Sequence, residues 1–381
     1  MNQIDVAQGG TAKPEIVSLT SLRGIAALAV VLYHFDQFFE GNICIGCYTK
    51  IVGEGYLWVD FFFLLSGFIL SHVHGDEFSN GSGAYGSFLS KRLGRIYPLH
   101  IFTLCVLLLP FFWTSYGPHD LRTPITFAKN VALIHAWGTT TRAPDMVWNY
   151  PSWSISAEWM AYLLFPALII VGRRSKLAMA AMIVFFGIVS LDQLAPYLNK
   201  VHDHSFQGMT NSFGWLRCLV EFSAGIVLHR VYLLRPAILQ SNVAFGSVFV
   251  ALVTAMHFGL RDALIVVAMG GLLCSAALNR GVVQRLLSSR PLPFIGKISY
   301  SIYMSQIFVS VGVLKKMWSA EFFVGLSPLA TIVVYLLACG AVILIASLTY
   351  YAIENPCRIM TLWLIGRVRQ RQRGYLLDRG H

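Results

Sequence analysis

Charged residues are scarce in this chain of 381 residues, at 12% of the sequence, whereas soluble domains carry about 25%. Hydrophobic residues make up 56%, and the mean hydropathy is +0.62. This composition excludes a soluble globular domain and is typical of a polytopic membrane protein. A net charge of +11 can indicate nucleic-acid binding, but here the positions of the arginines favour membrane topology as its cause.

The sequence also predicts neither a cleavable signal peptide nor a second domain. Residues 1–17 are polar, and the apolar run after them has the length of a full span without a small-residue cleavage site. No linker or shift in composition divides the rest. We therefore expect a cytoplasmic N-terminal segment (1–17), one transmembrane domain (18–358) and a basic cytoplasmic tail (359–381).

Metal-ligand patterns are weak. Of the seven cysteines, only Cys44 and Cys47 lie close together, and they could form a disulfide or bind a metal. His202 and His204 form a His-x-His pair without further ligands nearby in the sequence. Because no second pair stands at zinc-ligand spacing, we predict no metal site.

The chain has many apolar runs that are long enough to cross about 30 Å of hydrocarbon. They predict an all-α fold with about ten transmembrane helices. The predicted spans are 18–39, 56–74, 97–116, 153–172, 176–192, 213–233, 242–259, 261–279, 297–314 and 327–350. Most Lys and Arg residues then fall on the side of the N-terminus, and cytoplasmic loops carry this excess. Both termini are therefore predicted to be cytoplasmic.

Three ionisable side chains are predicted to share the outer half of the membrane: His34 of the first span, Asp60 of the second and Glu158 of the fourth. Such groups are costly there and usually mark a function. A contact between Asp60 and His34 would orient the imidazole as a general base. One alternative is a histidine bonded for helix packing. Another is a proton-coupled transporter, which would call for inverted repeats that the sequence does not show.

At the predicted inner face, Arg92 and Arg95 stand three residues apart at the expected start of the third span. Two neighbouring guanidinium groups suit a phosphate-rich ligand, although the positive-inside rule alone also places arginines in such loops. On the outer side, residues 117–152 form a long aromatic connection. It is predicted either to dip into the membrane or cover the site as a lid, or to lie at the interface.

Six motifs follow one another between Ser18 and Arg358: SLRGIAALAVVLYHF, VDFFFLLSGFIL, KRLGRIYP, PSWSISAEWMAYLLFP, GKISYSIYMSQ and YYAIENPCR. In this order they resemble the membrane-bound acyltransferase family 3. Members of that family O-acylate surface polysaccharides, glycolipids, peptidoglycan or secondary metabolites. The resemblance implies an acyl-CoA donor, with acetyl-CoA as first choice, and no other cofactor. It also implies functional residues that match His34, Arg23, Arg92, Arg95, Asp60 and Glu158.

One departure from the family pattern lies in the ninth span. Where many members have a Trp-His pair, this chain reads Met304, Ser305 and Gln306. No second histidine is available there, and Gln306 is a candidate for contacts with the acceptor instead.

The resemblance gives a mechanism to test. Arg92 and Arg95, with Arg23, would hold the phosphates of cytoplasmic acyl-CoA, and Ser66 could donate to the thioester oxygen, although a serine there also suits helix packing. His34 would deprotonate a hydroxyl of a glycan, glycolipid or small molecule. The expected location is a bacterial inner membrane, where the protein contacts the lipid bilayer. We expect no nucleic acid among its partners.

Overall fold

The computed structural model describes residues 13–39, 42–43, 45–81, 84–109, 111, 121–138, 148–199, 206–210, 213–319 and 321–378. Regular structure in these residues is helical throughout, and they contain no strand. The predicted all-α fold is therefore confirmed for the part of the chain that the structure describes.

The helices follow the apolar runs closely. Those of six or more residues are α1 (Val17–Asp36), α2 (Trp58–Ser79), α3 (Tyr85–Leu107), α4 (Pro124–Val131), α5 (Trp153–Arg174), α6 (Leu177–Asn199), α7 (Gly214–Leu234), α8 (Asn242–Phe258), α9 (Asp262–Leu278), α10 (Val282–Leu287), α11 (Pro291–Lys297), α12 (Ser299–Val309), α13 (Pro328–Thr349) and α14 (Asn355–Asp378). A wide π-type turn at Tyr350–Glu354 joins α13 to α14.

Each predicted span overlaps one of these helices, but fewer helices are both long enough and apolar enough to cross a membrane. Five helical stretches are long and apolar enough: Val17–Asp36, Gly53–Ser79, Tyr150–Arg174, Leu177–Tyr197 and Pro328–Arg367. Helices α8 and α9 are apolar but shorter. The chain is thus an integral membrane protein by its helices, whereas ten spans and cytoplasmic termini stay predictions.

Helix α3 begins earlier than predicted. Its first residue is Tyr85, not a residue near 97, and Pro98 lies inside the helix. The prediction failed because a proline is common in the first turn of a helix and because hydropathy marks the apolar part of a helix and not its charged end. As a result, Arg92 lies about two turns inside α3.

A very close helix crossing joins α2 to α7 through two glycines. A Cβ on Gly67 would lie 1.9 Å from the carbonyl oxygen of Phe222, and a Cβ on Gly225 would lie 2.0 Å from that of Leu64. Small residues permit such close backbone contact between membrane helices. The crossing therefore fixes which side chains of α2 face α7.

Candidate functional site

A cavity of about 120 Å³ lies among α1, α2, α3, α5 and α12. It is lined by hydroxyl groups and aromatic rings as well as by charged side chains. Five residues singled out in the sequence line it: Arg23, Ser66, Arg92, Arg95 and Glu158. The structure thus brings together residues from four helices that are distant in the chain.

Arg23 is fixed at this cavity by the contact between α1 and α11. Its Nε and Nη2 atoms donate to the carbonyl oxygen of Gly296 at 3.2 and 2.7 Å. A Cβ on Gly296 would lie 1.9 Å from the carbonyl oxygen of Thr20, so only glycine allows the helices to approach this closely. The guanidinium therefore has a defined position before any ligand binds.

Arg92, which lines the cavity, has a hydrogen-bond donor without an acceptor. Its Nε is buried and has no partner among the described residues, while its guanidinium lies 5.9 Å from the centre of the Phe88 ring. A buried donor without an acceptor costs free energy. The cavity is therefore suited to a ligand that carries hydrogen-bond acceptors.

Glu158 belongs to the arginine side of the site. Tyr162 and Arg92 both lie close enough to interact with it electrostatically. That Glu158 shares one polar site with His34 and Asp60 stays a prediction, since neither of those two lines the cavity. Because α3 begins at Tyr85, its arginines lie further along the helix than expected and reach the part of α5 that carries Glu158.

A second carboxylate beside the arginines was missed in the sequence. Glu354, in the π-type turn, is 5% exposed and accepts a hydrogen bond of 2.6 Å from the Ser301 hydroxyl. Arg23, Arg95 and Arg358 interact with it electrostatically. The available signal was an acidic residue in the motif YYAIENPCR directly after an apolar run.

Asp60 lies in a buried ion pair with Arg217 of α7. Its Oδ1 accepts from Arg217 Nε at 2.6 Å and its Oδ2 accepts from Arg217 Nη2, and both side chains are fully buried. The rings of Trp153 and Phe206 lie 5.4 and 5.5 Å from the guanidinium. Glu221 is nearby, with Oε1 3.9 Å from Arg217 Nε.

The predicted contact between Asp60 and His34 is not formed. The crossing of α2 and α7 places Arg217 within reach of Asp60, and a two-pronged pair with guanidinium is stronger than one bond to an imidazole. Arg217 lies near the start of a predicted span, and no pattern in the sequence indicated that it pairs with Asp60. That Asp60 is needed for activity stays a prediction.

His34 lies outside the lining of the cavity, between two tyrosines. Its ring centre is 4.9 Å from that of Tyr33 and 4.7 Å from that of Tyr150. The link to the cavity is short, because Tyr303, which lines it, donates from its hydroxyl to the Pro151 carbonyl at 2.8 Å. The turn that precedes α5 therefore contacts both His34 and a residue of the cavity lining.

The outer connection packs onto that same turn. The Ser156 hydroxyl accepts from Ala136 N at 3.0 Å, and the Ser152 hydroxyl lies 3.1 Å from His135 Nε2. Burial, with a smaller effect of His100, lowers the pKa of His135 to about 3. The described part of this connection therefore packs on the start of α5, and its role as a lid or an interfacial segment stays a prediction, since residues 117–120 and 139–147 lie outside the described part.

Several predictions on metal ligands and acceptor contacts fall partly outside the described residues. Cys47 is disulfide-bonded, whereas Cys44, His202 and His204 lie outside the described part. Within the described ranges, no group of three or more His, Cys, Asp or Glu side chains is placed to hold a metal ion. Gln306 is fully buried, with its Oε1 unpartnered.

Comparison with known families identifies the class of membrane protein to which the chain belongs. A family model described as an acyltransferase domain, Acyl_transf_3, matches residues 16–351. The chain therefore belongs to this family, as the six motifs predicted.

Curated relatives carry acyltransferase names. The chain is 27% identical to Acyltransferase MdmB of Streptomyces mycarofaciens, over 92% of this chain and 93% of that protein. It is 24% identical to a protein of Staphylococcus aureus (strain COL) that is provisionally named an O-acetyltransferase, over 90% of this chain and 57% of that protein. A third relative, Protein 2 in picA locus of Rhizobium radiobacter, is 37% identical over 24% of this chain and 43% of its own length. No solved structure matches the chain significantly.

Proposed function

We propose that the protein transfers an acyl group, with acetyl as first choice, from cytoplasmic acyl-CoA to a hydroxyl of a carbohydrate-containing or related acceptor. Membership of the acyltransferase family supports the transfer of an acyl group. The O-acetyltransferase name of one relative supports a hydroxyl acceptor. The donor and the acceptor themselves are part of the proposal.

The observation that carries this proposal is the convergence of Arg23, Arg92 and Arg95 on one cavity. Coenzyme A bears phosphates, and guanidinium groups bind phosphate oxygens through paired, charge-assisted hydrogen bonds. The unpartnered Nε of Arg92 provides a donor that such a ligand would satisfy. A narrow thioester arm would then extend along the cavity towards Tyr303.

The chemistry proposed is direct transfer. His34 takes the proton of the acceptor hydroxyl, and the oxygen attacks the thioester carbonyl carbon. The carbon–sulfur bond breaks, and the thiolate leaves with the proton from the imidazolium. Ser66, which lines the cavity, would donate a hydrogen bond to the thioester oxygen as negative charge develops there. The thioester must meet His34 beside the turn at Tyr150.

The test uses the purified protein in proteoliposomes and measures release of free thiol from acetyl-CoA. We expect acceptor-stimulated release, and we expect Arg92→Ala with Arg95→Ala to raise the KM for acetyl-CoA by about tenfold or more, since each charged hydrogen bond contributes about 1.5–3 kcal/mol. Arg280→Ala, at an exposed arginine, is the matched control. An unchanged donor KM in the double variant would refute the phosphate clamp, and no thiol release from the wild type would refute the transferase.

A further inference from the structure

The cavity has two ends, and the arginines lie at one of them. Arg92 is close enough to Tyr162 to interact with it electrostatically, and Arg95 interacts in the same way with Tyr300. Ser154 lines the cavity eight residues before Tyr162 on α5, a distance of about 12 Å at a rise of about 1.5 Å per residue. The end at Ser154 is therefore the one remote from the arginines.

Two aromatic rings close this remote end. The Tyr303 hydroxyl lies 2.8 Å from that of Ser154 and donates to the Pro151 carbonyl at 2.8 Å. The ring of Phe62 stands edge-on to that of Tyr303, with the ring centres 5.9 Å apart. Both residues line the cavity, and Tyr303 is 5% exposed. The end wall thus consists of two rings in contact, one of which is fixed by its hydroxyl.

A second layer of packing supports that wall. Phe63, which also lines the cavity, has its ring centre 5.9 Å from that of Trp153. The Arg217 guanidinium lies 5.4 Å from the Trp153 ring and forms its fully buried pair with Asp60. Closely packed interiors yield little when a larger group is inserted. We therefore expect this end of the cavity to keep its size when a ligand enters.

We propose that Phe62 and Tyr303 limit the length of the acyl group, so that the cavity takes short-chain acyl thioesters and excludes medium-chain ones. With its phosphates at the arginine end, coenzyme A directs its thioester arm along the cavity, and the acyl chain ends against the two rings. A methylene that a hydrophobic pocket does not fit changes discrimination by about 10- to 200-fold. This inference rests on the proposed function, because it requires acyl-CoA in this cavity, and it adds two specificity-determining residues.

The experiment titrates purified full-length protein in detergent with coenzyme A, acetyl-CoA and hexanoyl-CoA and measures each Kd by calorimetry. We expect the wild type to bind acetyl-CoA about tenfold or more tightly than hexanoyl-CoA. Phe62→Ala and Tyr303→Ala each remove a ring that is larger than the extra methylenes of the hexanoyl chain. Each should therefore lower this preference by about tenfold or more. The Kd for coenzyme A itself should stay at the wild-type value, because the arginine end is unchanged.

Three control variants test whether the effect belongs to the end wall. Tyr303→Phe keeps the ring and should keep the preference for acetyl-CoA. Leu70→Ala enlarges the same cavity eight residues further along α2 than Phe62, towards the arginine end, and should also keep it. Phe102→Ala removes a ring that packs against Phe308 outside the cavity lining, with the same expectation. A preference lost equally in Leu70→Ala and Phe62→Ala would overturn the assignment.

The remaining outcomes are also decisive. Equal affinity of the wild type for acetyl-CoA and hexanoyl-CoA, or an unchanged preference in either folded Ala variant, would overturn the length limit while leaving the donor site intact. If an Ala variant does not fold, Phe62→Leu, with a smaller apolar side chain, should still lower the preference. If the wild type binds none of the three probes, the proposed donor itself fails, and the length limit falls with it.

Discussion

His34 is held by aromatic packing and not by a carboxylate. Its ring is half-buried between Tyr33 and Tyr150, and Asp60 forms its hydrogen-bonded ion pair with Arg217 instead. Aromatic contacts restrict the orientation of an imidazole without adding a charge to it. A neutral imidazole is the form that can accept a proton, so this environment fits a general base.

Replacing His34 by Ala tests that role. A general base contributes about 10²- to 10⁴-fold to the rate, so we expect His34→Ala to lower kcat by that range while the protein still assembles in the membrane. The measurement is acetyl transfer from acetyl-CoA, together with size-exclusion chromatography in detergent. His257→Ala, at an exposed histidine, should keep wild-type activity. A His34→Ala protein that retains most of its kcat would contradict the assignment.

The buried ion pair of Asp60 and Arg217 is expected to stabilise the fold. Removing one partner of a fully buried pair leaves an uncompensated charge and costs about 3–5 kcal/mol. We therefore expect Arg217→Met to lower the thermal midpoint of unfolding in detergent strongly, and Asp60→Asn in the same protein to recover part of the loss.

A surface pair provides the comparison. Lys13 and Asp76 are 34% and 57% exposed and form an ion pair, and such pairs contribute about 0–1 kcal/mol. Lys13→Met should therefore change the midpoint little. If Arg217→Met behaved like Lys13→Met, the buried pair would have no stabilising role.

At the scale of elements, the crossing of α2 and α7 determines the position of Asp60. Gly67→Ala would place a methyl group 1.9 Å from a backbone oxygen of α7, and since neither backbone can move away without shifting a helix, we expect a loss of at least about 1–3 kcal/mol. The measurement is the thermal midpoint and the yield of monodisperse protein.

The control for this change is Gly246→Ala in α8. A Cβ there would meet nothing within 4 Å, and replacing an unhindered helical glycine by alanine stabilises by about 0.5–1 kcal/mol. Gly246→Ala should therefore match or exceed the wild type. Equal midpoints for both variants would show that the crossing is not as close as described.

The helices were predictable from the sequence because span-length apolar runs are their direct signal. The start of α3 was not, since its first turns are polar and Pro98 imitates a helix start. The partner of Asp60 was not predictable either. Apolar periodicity shows that a helix exists but not which other helix it touches, so Arg217 could be paired with Asp60 only after the glycine contacts of α2 and α7 were known.

The sequence predicted most residues of the candidate site, but not which of them line the same cavity. Polar groups inside apolar spans and one family resemblance pointed to seven residues, and five of them line the cavity. Hydropathy indicates only the depth of Glu158 and His34 along their helices. The lateral arrangement of helices, which decides that Glu158 lines the cavity and His34 does not, depends on packing between residues far apart in the chain.

For the whole molecule, two chemical environments follow from this arrangement. One is the cavity with Arg23, Arg92 and Arg95, and the other is the uncharged surrounding of His34. The positive-inside rule predicts that the first faces the cytoplasm and the second the opposite side. The donor and the acceptor would then approach from different compartments.

Sealed membrane vesicles of known sidedness test this orientation. Acetyl-CoA is highly charged and does not cross a bilayer, so with acceptor present on both sides we expect thiol release from external acetyl-CoA only in inverted vesicles, whose cytoplasmic face is outward. Right-side-out vesicles should be inactive until a detergent permeabilises them, which also shows that they contain active protein. Thiol release by intact right-side-out vesicles would place the arginine-lined cavity on the outer side and reverse the predicted topology.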